Sequence, residues 1–283
     1  MANFYDFLSP TAKLGDGHIV GVQGSTGTGR SVFSLGAPDP ILYINTDLNA
    51  AHAAKHHPQQ RVLYANMSLA LDENKLEQDR RRVYATLVAI WNGWLNKLPY
   101  RHVDPTTGEI LVEEPFKTLI WDTHSHIWDF IYPMKVEAAM AKKSPKAQES
   151  GPGPLDYRSA NEWMWALKDA HKKFRPEANM VFILAEKIAY VPDPEKPNSN
   201  FRIPDPRGNM EIDGWKNAMT CCDAFIRLYR RSKAADRDGK DKRNVRYVEL
   251  LKFTPDETYV TTTPPIAEPV WGDLEEMFRD VST

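Results

Sequence analysis

Cysteine is nearly missing from this chain of 283 residues: only Cys221 and Cys222 occur, and they are adjacent. Neighbouring cysteines rarely bridge each other, and no second pair completes a zinc ligand set. A disulfide framework and a structural zinc site are therefore excluded, and the pair reads as buried thiols in a strand. Long apolar runs are missing as well. No stretch of eighteen residues is apolar enough for a membrane helix, so no membrane is expected as a partner. Met1-Ala2-Asn3-Phe4-Tyr5-Asp6 lacks the basic-then-apolar order of a secretory signal, so the expectation is a cytoplasmic protein. Charge of one sign is absent too. Lys and Arg total 36 against 38 Asp and Glu, a net charge of −2, so there is no global attraction to nucleic acid and any such contact must come from local patches. No internal repeat is found.

What is present suits one large core, with 42% hydrophobic residues. The sharpest feature is Gly24-Ser25-Thr26-Gly27-Thr28-Gly29-Arg30-Ser31. It fits the phosphate-binding pattern G-x-x-x-x-G-K-[ST] at every position but one, where arginine replaces lysine. In that pattern glycines let backbone N–H groups turn inward around phosphate oxygens, the lysine charge meets the terminal phosphates, and the hydroxyl ligates magnesium. Arg30 keeps the charge on a longer, planar, forked group, which favours binding over fast hydrolysis. The context agrees, since an apolar run, His18 to Gln23, precedes the loop and Ser31 to Leu35 can open a helix.

Further apolar runs read as strands at 40–47, 61–64, 117–122, 180–185, 224–229 and 245–252, with helical spacing at 73–98, 127–141 and 159–174. Residues 142–154 read as a mobile linker. Residues 188–214, with five prolines, read as a long loop or hairpin excursion. The last two strands, joined by a charged turn, read as an antiparallel hairpin. The fold class expected is α/β, mainly parallel with helices on both faces. Residues 1–17 form a lead, 18–254 a nucleotide-binding domain, and 255–283 a tail with a short helix around Asp273 to Arg279.

Acids close two strands, Asp47 and Asp122. An acid after an apolar strand is the arrangement in which a carboxylate holds magnesium, and Asp122 is the candidate. Asp47 is placed by chain order to orient a water, although a helix N-cap would use the same residue.

With the loop, "ILYINTD" ending at Asp47, "KTLIWDTHSHIWD" around Asp122, "VFILAEK" ending at Glu186 and Lys187, and "RYVELLKF" containing Lys252, the chain resembles the RecA-like P-loop ATPases. Within them it is similar to small phage-encoded proteins related to RecA and Rad recombinases, including single-strand annealing types. The resemblance implies ATP and Mg2+ as cofactors and a homo-oligomer in the host cytoplasm. It implies Asp47 as the water-activating acid, Glu186 or Lys187 as nucleotide sensor, and Lys252 as a cation reaching a neighbour's phosphate. It also implies single-stranded DNA as partner, contacted through roughly 142–158 and 188–214, where Lys142, Lys143, Lys146, Tyr190, Phe201, Arg202 and Arg207 lie; ordinary solvated loops would look the same. The chain departs from the family pattern in Arg30 for lysine, in Asp47 for the usual glutamate, and in Lys252-Phe253-Thr254 for a Lys-x-Arg pair. An inactive nucleotide-binding subunit is thus a second expectation. A third is a metallohydrolase using His124 and His126, with Asp129, His52, His56 and His57 as further ligands.

Overall fold

The computed structural model describes residues 17–46, 50–67, 76–149, 152, 154–195, 202–232, 244–255, 257–258, 260 and 264–281. Asp47 and Phe201 lie outside them, as does the charged turn at 233–243.

In chain order the elements are β1 (Ile19–Gly24), α1 (Arg30–Ser34), β2 (Ile41–Asn45), α2 (Ala50–Ala54), β3 (Val62–Asn66), α3 (Leu76–Leu95), β4 (Pro99–Val103), β5 (Ile110–Pro115), β6 (Thr118–Asp122) and α4 (His124–Met140). They continue with α5 (Pro145–Glu149), α6 (Pro154–Phe174), β7 (Asn179–Ile188), β8 (Tyr190–Pro192), β9 (Arg202–Pro204), β10 (Met210–Ile212), α7 (Ala218–Cys221), β11 (Ala224–Ser232), β12 (Asn244–Phe253), β13 (Ile266–Ala267) and α8 (Trp271–Val281).

The main sheet runs β13-β12-β11-β1-β7-β6-β2-β3, with β10 added to the far end of β7. From β11 to β3 every neighbouring pair is parallel, while β12 and β13 are antiparallel. Strands buried on both faces explain the continuous apolar runs, because each side chain faces a helix layer whichever way it points. Alternation sorts them: Leu119, Trp121, Met180, Phe182 and Leu184 join one core with residues of α3, α4 and α6, while Ile120, Val181 and Ile183 join the other with α1, α2 and α8. Each large side chain so buried contributes about 1.5–3 kcal/mol. The terminal helix belongs to this packing, since Trp271, Leu274 and Phe278 are buried with Phe33.

Two sequence readings change. The segment at 142–154 contains α5, which starts at Pro145; proline suits a first helical position because its missing N–H has no intrahelical acceptor there. Cys221 and Cys222 are buried, but at the end of the four-residue α7 and not in a strand. The hairpin alternative for 188–214 is the one found, since among its described residues β8 pairs with β9 and β10 folds back on β7.

Parallel strands bring their carboxyl ends to one edge, where the topology of open α/β sheets places ligands. Gly24 at the end of β1 pairs with Ala185 of β7, and Asn45 at the end of β2 pairs with Asp122 of β6.

Candidate nucleotide site at the carboxyl edge of the sheet

The glycine loop leaves β1 and crosses the edge before α1. Gly24 has no room for a side chain, since a Cβ there would lie 2.5 Å from the Leu228 carbonyl oxygen and 2.7 Å from Thr28 Oγ1. Gly29 holds φ +88°, a left-handed conformation that glycine adopts at little cost. Thr28 folds the turn by donating its hydroxyl to the Ser25 carbonyl at 2.8 Å. Ser25, Thr26 and Gly27 stand exposed at the crest.

Beneath the loop, Ser31 Oγ donates to Asp122 Oδ2 at 2.7 Å, and the Tyr43 hydroxyl donates to the same oxygen. Asp122 is 2% exposed. A buried carboxylate is tolerated only when it is well bonded, and two hydroxyls meet that need here. Thr46 fixes the strand end from the side: its amide donates to the Asp122 carbonyl at 2.7 Å and its hydroxyl accepts from the Thr123 amide at 2.9 Å. Ser31 and Asp122 offer a compact set of oxygen donors, the chemistry that magnesium prefers, so the residues present fit that ion.

Arg30 donates from Nη1 to the Leu184 carbonyl of β7, so its guanidinium is directed along the sheet edge on the Asp122 side. Glu186 lies behind the loop with its side chain 2% exposed. It accepts from Gln23 Nε2 at 2.9 Å, from Ser25 Oγ at 3.1 Å and from Arg227 Nε at 2.6 Å. These bonds tie the loop to β1, β7 and β11 together. Lys187 instead pairs outward with Asp213 at 2.9 Å.

The structure does not bring Lys252 to its own chain's loop. It pairs in register with Phe225, near the amino end of β11, and its ammonium donates to the carbonyls of Met219, Thr220 and Cys222 at 3.1, 3.0 and 2.7 Å. There it satisfies the carbonyls that end α7.

Among the described residues the histidines form no metal centre. His124 is 0% exposed within rings of Trp121, Phe182 and Trp215, and burial lowers its pKa to about 3. His126 is exposed, with Nδ1 3.4 Å from Thr46 Oγ1. His52 and His56 do lie side by side, their ring centroids 5.9 Å apart, although α2 ends at Ala54. Among the described residues no three His, Cys, Asp or Glu side chains converge on one point.

Sequence reasoning missed Tyr43, Thr46, Gln23 and Arg227. Two carried a signal: Tyr43 is a phenol inside an apolar run, where a buried hydroxyl usually has a partner, and Gln23 is a lone amide closing an apolar strand.

No family model matches this chain, and no curated protein does. Among solved structures, the chain is similar to the flagellar accessory protein FlaH from Methanocaldococcus jannaschii, at 13% identity over 90% of this chain and 87% of that one, with a TM-score of 0.34. A likeness this distant says nothing of activity; the loop, the acid beneath it and the strand order stand on their own geometry.

Proposed function

We propose that the chain is a RecA-like protein that binds magnesium and ATP at the loop from Gly24 to Ser31. The observation that carries this reading is the 2.7 Å bond between Ser31 and Asp122, which joins a phosphate-loop hydroxyl to the acid ending a strand two places away in the sheet. Ser31 and Asp122 would hold the magnesium, which when bound offsets charge on the terminal phosphates. The exposed crest from Ser25 to Gly27 would face the phosphates with its amides. Glu186 acts here as a brace for Ser25 and not as a group touching the terminal phosphate.

Turnover is expected to be slow. Arg30 is drawn to the Leu184 carbonyl, and releasing it toward a phosphate gives up that bond. This observation favours the second reading, a nucleotide-binding subunit without turnover whose assembly depends on ATP. In a homo-oligomer Lys252 would serve a neighbour's phosphate only after leaving three carbonyls. For single-stranded DNA as partner, the support is the β8–β9 hairpin. Tyr190 is 50% exposed there and Arg202 and Arg207 face solvent. Two acids that would dilute this charge, Asp193 and Asp205, are buried and accept from backbone amides of their own turns.

The test is ATP binding by calorimetry with and without magnesium, followed by hydrolysis with and without single-stranded DNA. Magnesium-dependent binding with DNA-stimulated turnover supports the first reading. Binding without turnover supports the second, and no binding removes both.

A further inference from the structure

The far side of the loop carries a cation that the phosphate-loop pattern does not specify. Arg246, on β12, lies against Gly29: a Cβ built on Gly29 would meet Arg246 Nη1 at 2.8 Å and Cδ at 3.3 Å. Its register partner across the ladder is Arg230, which is exposed. Like charges directly opposite one another on one sheet face repel, and an anion between them relieves that cost. Among the described residues, Arg246 Nε is buried without a hydrogen-bond partner. The guanidinium is held only loosely, with Nη2 3.6 Å from Glu268 Oε2, and that acid is 62% exposed, so the pair is readily exchanged for a better anion. Glu268 is tied to the same residue through the backbone, its amide donating to the Arg246 carbonyl at 2.8 Å.

We propose that Arg246 is a second phosphate-binding cation supplied by the same chain, taking the phosphate nearer the nucleoside, with Glu268 as the latch that holds it while the loop is empty. The inference rests on the nucleotide reading above. Its direction follows from the sheet. Ser31 and Asp122 fix the metal and terminal phosphate on the β7–β6 side of β1. The remainder of the ligand then extends toward β11 and β12, and Arg246 is the cation that meets Gly29 there. Arg30 and Arg246 thus flank the loop from opposite sides. On this division a loop without lysine would gain its affinity from two cations, Arg30 at the terminal end and Arg246 at the nucleoside end.

The division gives a signature. A fluorescent ribose-labelled ADP and its ATP counterpart are titrated with magnesium onto the full chain and onto Arg246→Ala, Arg246→Lys and Glu268→Gln. Loss of one charge-assisted contact weakens ADP and ATP alike, by about tenfold in Arg246→Ala, with partial rescue by lysine. Glu268→Gln frees the guanidinium and tightens both ligands by about two- to threefold. A merely structural Arg246–Glu268 pair would weaken binding in both variants, so opposite signs carry the assignment. Equal binding by wild type and Arg246→Ala, or weaker or unchanged binding by Glu268→Gln, overturns it; should Arg246→Ala not fold, Glu268→Gln alone decides. Failure of the wild type to bind either nucleotide instead overturns the site reading beneath it.

Discussion

The two flanks of the glycine loop are built on opposite principles. On the β7–β6 side the polar groups are buried and bonded within the protein: Asp122 holds two hydroxyls, and Glu186 gathers Gln23, Ser25 and Arg227. On the β11–β12 side Arg227 is drawn into that buried group, but two cations further along the strands are loosely held, Arg230 being exposed and Arg246 3.6 Å from its acid. The difference teaches how one loop can be both rigid and receptive. On the proposed reading, preorganisation sits where a metal and terminal phosphate would demand fixed geometry, and slack sits where the ligand would enter.

The largest effect should come from cutting the rigid flank away from the loop. Glu186→Ala leaves Arg227 without its carboxylate and Gln23 and Ser25 without an acceptor, and should cost about 2–3 kcal/mol of stability. Chemical denaturation measures it; a loss within error would mean that the flank is not braced through Glu186.

A second prediction concerns pH. His124 and His171 are neutral in the fold, each with its pKa lowered to about 3 by burial as the leading cause. Unfolding restores the ordinary value near 6.5, so the unfolded chain binds more protons below that pH. The stability they confer is present above pH 6.5 and is lost as pH falls toward 3, with about 2 kcal/mol gone per histidine between pH 7 and 5. His124→Phe, placed among Trp121, Phe182 and Trp215, should flatten its half of this slope. A denaturation series at several pH values decides, and an unchanged slope contradicts the assignment.

Smaller still is the change that bears on the slow turnover proposed above. Arg30→Lys cannot span to the Leu184 carbonyl with a forked group and places a compact charge near the terminal phosphate. Hydrolysis should rise about tenfold, equivalent to about 1.4 kcal/mol in the barrier. An unchanged rate would locate the deficit elsewhere.

Much of this contrast was legible in the sequence, though unevenly. The loop, the strand before it and Asp122 are local signals, readable because glycine spacing and an acid after an apolar run need no tertiary knowledge. The rest depends on register between distant segments. That Tyr43 reaches Asp122 requires β2 beside β6, and that Arg246 reaches Gly29 requires the β11–β12 hairpin beside β1. The same limit explains Lys252, placed by strand identity but found among the carbonyls at the opposite end of the sheet. Short helices were misread because four or five residues carry no period, as with α7 around Cys221 and α5 after Pro145. The role expected of Asp47 falls on a residue outside those described.

The central claim is that a magnesium–nucleotide complex settles between the glycine loop and Asp122, and the direct measurement is calorimetric ATP binding to wild type and Asp122→Asn, each with magnesium and with chelator. Wild type should bind more tightly with magnesium, and Asp122→Asn should lose that advantage, by about one to two orders of magnitude in affinity. Equal affinities in all four titrations, or a wild type that binds no nucleotide, would contradict the account.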